Sequence, residues 1–266
     1  MESSPERVGF LSTILAISRN TFREAVRDRI LYNLVLFVLM VTAAAIFLGE
    51  LTAGQEQRTI VNLGLSAMLL FGAFISIFVG IGLVSKEIER RTLFAIFAKP
   101  VSRSHFIIGK YLGLCLTLMV NIIVMGVGVS LAVLYVGGGK LALTIWSAIF
   151  LIYLELTILT GVAIVFSSFS TPALSALLTF FVFLIGHFSS SLRDLAQSLG
   201  SSAAKAVFDG IYYVLPNLSN FSFITNAAHG TAAPWPMLGG AFLYAIVYDA
   251  VLLVAAVTIF SRRNFK

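Results

Sequence analysis

Charge is what this 266-residue chain has least of: Asp, Glu, Lys and Arg together make up 11% of it. Soluble domains carry about a quarter of their residues as charges, so a water-facing globular fold is excluded. Apolar residues supply 59% and the mean hydropathy is +0.98, which places the chain in lipid with no room for a separate soluble domain. Cysteine is nearly missing too. The single Cys115 lies in an apolar run, so neither an intrachain disulfide nor a thiolate metal site can form. A cleavable signal peptide is not expected, because residues 1–29 are too charged and lack an apolar core ending in small residues.

Catalytic motifs are also wanting. Gly137-Gly138-Gly139-Lys140-Leu141 lacks the hydroxyl residue and the upstream glycine of a phosphate-binding loop, and reads as a turn. His105, His187 and His229 are scattered and no His-Glu-x-x-His occurs, which leaves a membrane metalloprotease unsupported. No serine is paired with a histidine and a carboxylate in a recognisable pattern. These absences argue against an enzyme, though not against a scaffold.

What the chain does have is apolar runs. A bilayer crossing needs about 20 mostly apolar residues, and six stretches qualify: 30–49, 60–84, 106–136, 142–168, 172–190 and 237–261. The expected fold is all-α, a six-span membrane protein forming one domain over 1–266. With the N-terminus inside, fourteen of the 18 Lys and Arg fall on the inner side. The outer side keeps Arg58, Lys140, Arg193 and Lys205. That bias predicts two cytoplasmic termini. The net charge of +6 flanks the apolar runs, so lipid headgroups rather than nucleic acid are the expected partner.

Three segments do not span. Residues 8–28 are amphipathic at about 100° per residue: Phe10, Leu11, Ile14, Leu15, Ile17, Phe22, Ala25 and Val26 share one half of the wheel. Arg19, Arg23 and Arg27 repeat at every fourth position on the other half. A helix lying along the inner membrane face follows, serving either as an anchor or as a lever on the first span. Residues 86–99 are too short and too charged to cross. Glu87 and Glu89 suit the first turn of a helix and Pro100 stops it. Arg90 and Arg91 complete the charged cluster, and Leu93, Phe94, Ile96 and Phe97 then leave apolar surface facing the cytoplasm. Membrane or a partner protein has to cover it. Residues 191–236 form an external segment with a short helix from Ser202 to Leu215, expected to act as a lid or a partly re-entrant piece.

Two carboxylates lie within spans, Glu155 in the fourth and Asp249 in the sixth. An ionised carboxylate at mid-helix costs on the order of 2.5–3.5 kcal/mol, and no Lys or Arg lies at that depth. Each therefore needs a proton, a polar partner such as Asn121, or a wet cavity. They are either neutral packing residues or the polar lining of a transport path. His187 reads as an interfacial residue at the outer end of the fifth span. Gly109-x-x-x-Gly113 permits close helix approach, a pattern common in membrane helices.

Several of these stretches resemble the type-two ABC exporter permeases. The most specific are Lys86-Glu87 through Thr92, then Lys99-Pro100-Val101-Ser102-Arg103, then Gly109 to Gly113. Residues Ala16 to Ala25 with Arg27-Asp28-Arg29, Leu215-Pro216-Asn217-Leu218, and Phe260 to Phe265 are similar to further parts of that pattern. Within the family the chain looks most like the branch linked to nitrous-oxide-reductase maturation and gliding motility. The resemblance implies a half-transporter of the prokaryotic cytoplasmic membrane, paired as a homodimer with two copies of a separate cytosolic ATPase. ATP and Mg would be bound by that ATPase, and this chain would hold no cofactor. Residues 8–28 would be the connecting helix and 86–99 the coupling helix. Leu93, Phe94, Ile96 and Phe97 would enter a cleft of the ATPase, with Glu87, Glu89, Arg90 and Arg91 on its rim. Without such a partner, the same architecture would suit an ATP-independent lipid scramblase or a proton-coupled carrier using Glu155 and Asp249.

Overall fold

A computed structural model describes residues 10–27, 29–52, 54–89, 102–189, 210, 212 and 215–262. Among them every regular element is helical: α1 (Phe10–Val26), α2 (Arg29–Leu51), α3 (Glu56–Glu89), α4 (Arg103–Tyr135), α5 (Gly139–Ser167), α6 (Pro172–His187), a 3₁₀ turn (Leu218–Phe221), α7 (Ile224–Ala228) and α8 (Trp235–Arg262). Four helical stretches are long and apolar enough to cross a bilayer: Glu56–Gly82, Arg103–Tyr135, Gly139–Ser167 and Trp235–Arg262. Val35–Gly49 within α2 and Pro172–His187 are shorter apolar helices.

Helix α5 is the hub. Most of its apolar stretch is buried, whereas α8 turns Leu243, Val247, Val251 and Val254 outward. Lipid is as apolar as leucine, so helices associate here through close packing rather than through escape from water. Small residues permit that closeness. A Cβ on Gly72 of α3 would meet Leu156 of α5 at 2.4 Å. Helices α3 and α4 run antiparallel, with Gly64 against Val129 and Gly80 near Leu114. Helices α5 and α8 run parallel, Phe150 stacking on Phe242 and Gly161 meeting Leu252.

Two boundaries differ from the expected ones. Helix α3 runs through Ser85 to Glu89 without a break. Its hydropathy falls after residue 84, but Lys and Glu are good helix formers and no Gly or Pro interrupts them. Glu87 and Glu89 therefore end a helix that began at Glu56, and the dipole argument for a first turn does not hold for them. Helix α6 opens with Pro172 behind Thr171 and stops at His187. Its 16 residues reach about 24 Å, less than the ~30 Å hydrocarbon thickness. Residues 90–101, and most of the external segment's expected 202–215 helix, lie outside the described residues.

Candidate functional site

One end of the bundle brings together α1, the start of α4 and the end of α8, three of the stretches that carry the family resemblance. Helix α1 lies against the first turns of α4, and the contact is made by small residues. A Cβ on Gly113 would sit 2.6 Å from both the Ser18 carbonyl oxygen and Thr21 Cβ, and one on Gly109 would sit 2.7 Å from Ile17 Cβ. Ile14, Ser18, Thr21 and Ala25 form the buried stripe of α1, whereas Leu11 and Leu15 stay exposed. The apolar half of the wheel is thus divided between α4 and the surroundings. The glycine pair, legible as a pattern, has α1 as its partner.

Polar contacts lock this end. Lys110 is 2% exposed, and its Nζ lies 3.4 Å from Glu24 Oε2 and 5.7 Å from the centre of the Phe106 ring. Phe106 stacks on Phe260 of α8 at 5.8 Å. Arg103 Nη1 donates to the carbonyl oxygens of Phe260 at 3.0 Å and Ser261 at 2.7 Å. Those carbonyls belong to the last turn of α8, and a cation suits the negative end of its dipole. Ser102 caps α4 reciprocally with His105. Helices α1, α4 and α8 are therefore joined immediately beside segment 90–101, which leads from α3 into α4.

Among the residues singled out above, Arg19 and Arg23 are exposed on α1 and Arg27 is exposed just after it. Arg23 and Arg27 line an open groove of about 670 Å³ with Asn20, Phe22, Glu24 and Val26. Glu87 and Glu89 belong to the last turn of α3. Arg90, Arg91, Leu93, Phe94 and Phe97 lie outside the described residues.

The two intramembrane carboxylates serve different interfaces. Glu155 is 1% exposed and its Oε1 lies 3.5 Å from His187 Nδ1, at the foot of short α6. Neither Glu155 Oε1 nor His187 Nδ1 has a hydrogen-bonding partner. Asp249 turns to α4 and α5, with Tyr111 and Thr157 as polar neighbours, and its Oδ1 likewise lacks a hydrogen bond. Asn121, the anticipated partner, keeps its Nδ2 without one. His187, the last residue of α6, faces Glu155. Beyond it, Asn217 ties the returning chain down. Its Oδ1 accepts from Ser189 at 2.7 Å and Ser219 at 2.5 Å, its amide donates to the Tyr244 hydroxyl at 2.9 Å, and its Nδ2 donates to Tyr212 at 3.2 Å.

Sequence reasoning did not find the Glu155–His187, Glu24–Lys110 or Arg103–α8 contacts. The first had a signal. Residues 168–171 are a tight connection, Glu155 lies about three turns before the end of α5 and His187 about four turns after the start of α6. An antiparallel pair would bring them to similar heights.

Comparison with known proteins supplies the family. No curated protein matches the chain. Residues 15–265 match the family described as ABC-2 family transporter protein, nearly the whole length. The chain is a multi-pass membrane protein of the ABC-2 transporter family, the permease component of a transporter that associates with an ABC ATPase subunit.

Proposed function

We propose that this chain is the permease of an ATP-driven exporter, in the branch linked to nitrous-oxide-reductase maturation and gliding motility. Two copies pair in a prokaryotic cytoplasmic membrane, and each docks one separate cytosolic ATPase. The shorter apolar helices α2 and α6 join the four long ones to make six spans with both termini in the cytoplasm, all within one permease domain. Segment 86–99 is the docking element: Leu93, Phe94, Ile96 and Phe97 fill the ATPase cleft while Glu87, Glu89, Arg90 and Arg91 pair at its rim. Helix α1, with Arg19, Arg23 and Arg27, is the second contact. ATP and Mg act in the partner.

The observation that carries this reading is the junction of α1, α4 and α8. A push on segment 90–101 reaches α4 at Ser102, and from there α1 through Lys110 and Gly113 and α8 through Arg103. Such coupling requires the two ATPase states to contact the segment differently. Glu155 and Asp249 then form polar points along the path near the middle of their spans. A proton-coupled carrier or a scramblase would have no use for a docking element. The test is the Arg90→Glu, Arg91→Glu double substitution in the chain coexpressed with its ATPase. Copurified ATPase should fall by about tenfold, the scale of losing close interfacial charge pairs. Undiminished copurification would count against the docking assignment.

A further inference from the structure

At the end opposite α1, the start of α3, the turn between α4 and α5, and the end of α7 enclose an open cavity of about 430 Å³. Arg58, Lys140 and His229 line it from three different elements, together with Gln57 and the Gly137–Gly139 turn. We propose that this cavity binds an anionic phosphate group at the membrane surface.

The charge distribution argues for it. Only four of the 18 Lys and Arg were assigned to this side of the chain, and the two within the described residues, Arg58 and Lys140, share this one cavity. A lone cation at a helix end merely reaches for the headgroups. Two cations from separate helices and an imidazole from a third segment line the same cavity. No Asp or Glu among the described residues lines it, and Glu56 belongs instead to the adjoining groove formed by residues 54–58.

The backbone suits an anion as well. Gly137 turns the chain at φ +80°, and a Cβ built on Gly137 or Gly139 would meet nothing within 4 Å, so the floor is open to close approach. Gly138 gives the 29-residue helix α5 no side-chain cap, and the first amides of that helix add donors beside Lys140. Gln57 Nε2 donates to the Val136 carbonyl at 3.3 Å and holds the start of α3 to this turn. A planar guanidinium with an ammonium beside it fits phosphate oxygens better than a carboxylate alone. The cavity lies at the ends of the crossing helices, where phosphates of lipid headgroups are densest.

The sole native thiol, Cys115, is buried, so a cysteine at Thr144 in the cavity wall reports on occupancy. The full chain carrying Thr144→Cys is placed in nanodiscs of phosphatidylcholine, whose choline offsets the phosphate charge, or of phosphatidylcholine with phosphatidylglycerol. Labelling by a membrane-impermeant maleimide is then timed. Phosphatidylglycerol should slow labelling by about tenfold, the affinity scale of one charge-assisted contact pair. Arg58→Gln with Lys140→Gln should abolish the slowing, while Arg58→Lys with Lys140→Arg should keep much of it. Slowing by phosphatidylglycerol alone identifies a lipid headgroup as the source, and slowing by inorganic phosphate in phosphatidylcholine discs identifies a free phosphate. Equal labelling under all conditions, or slowing that survives the double glutamine variant, overturns the proposal. If Thr144→Cys does not fold, Gln57→Cys reads the same cavity.

Discussion

The places where this chain buries titratable side chains differ, although at the α1 end the Thr21 hydroxyl is itself without a partner. At the α1 end, Lys110 faces Glu24 and a phenyl ring, and Arg103 caps the last carbonyls of α8. In the interior, Glu155 Oε1, His187 Nδ1 and Asp249 Oδ1 all lack hydrogen bonds. A satisfied buried network resists rearrangement, because any shift leaves a partner stranded. Groups that are already unsatisfied lose little when they move. The contrast fits a machine that receives force at one end as a rigid unit and yields in the middle. Three substitutions test how far it holds.

The largest effect is expected at Gly113. A valine there places its Cβ 2.6 Å from a backbone carbonyl oxygen of α1, which cannot rotate away as a flexible side chain could. Overpacking costs about 1–3 kcal/mol and occasionally more, and this position should lie at or above the top of that range. Thermal unfolding of the purified chain gives the measure. A melting temperature unchanged from wild type would mean that α1 does not depend on this seam.

Glu24→Lys should follow, with a smaller loss. It sets a cation against the nearly inaccessible Lys110, but Glu24 itself is 44% exposed, so solvent screens part of the repulsion. A destabilisation of about 1–2 kcal/mol is expected. The double exchange, Glu24→Lys with Lys110→Glu, should recover part of it. No recovery would show that the two side chains do not act as a pair. Under the proposed mechanism, the single substitution also lowers ATP-driven transport more than it lowers ATPase copurification, because it loosens a joint and leaves the docking surface intact.

How much of this was legible before the fold was known varies with the range of the interaction. Helical class and the approximate limits of the long apolar helices follow from local hydropathy, which lipid enforces residue by residue. The continuity of α3 into Glu89 was hidden because charge ends a hydrophobic run without ending a helix. Gly109 and Gly113 announced a close approach, yet nothing local named α1 as the neighbour. The end of α6 at His187 could be read from hydropathy, but its approach to Glu155 on α5 could not, since the two lie 32 positions apart. Arg103 is the extreme case, since its partners are carbonyls 157 and 158 residues away. Backbone carbonyls carry no sequence signature.

Glu155→Gln should have the smallest effect on stability, and for that reason it separates the two halves of the comparison most sharply. The carboxylate is 1% exposed, lies 3.5 Å from an imidazole with no hydrogen bond between them, and sits within α5, the most buried of the four long apolar helices. Glutamine keeps its shape and removes its ability to carry charge. If the group contributes little to holding α5 against α6, the melting temperature should stay within a shift equivalent to about 1 kcal/mol, or rise, as often happens when a buried charge is replaced by a neutral side chain. Transport by the reconstituted complex should fall nonetheless if Glu155 lines the path. The two readouts must diverge. A large loss of stability in Glu155→Gln would make the interior as tightly paired as the α1 end, and the functional contrast between them would collapse.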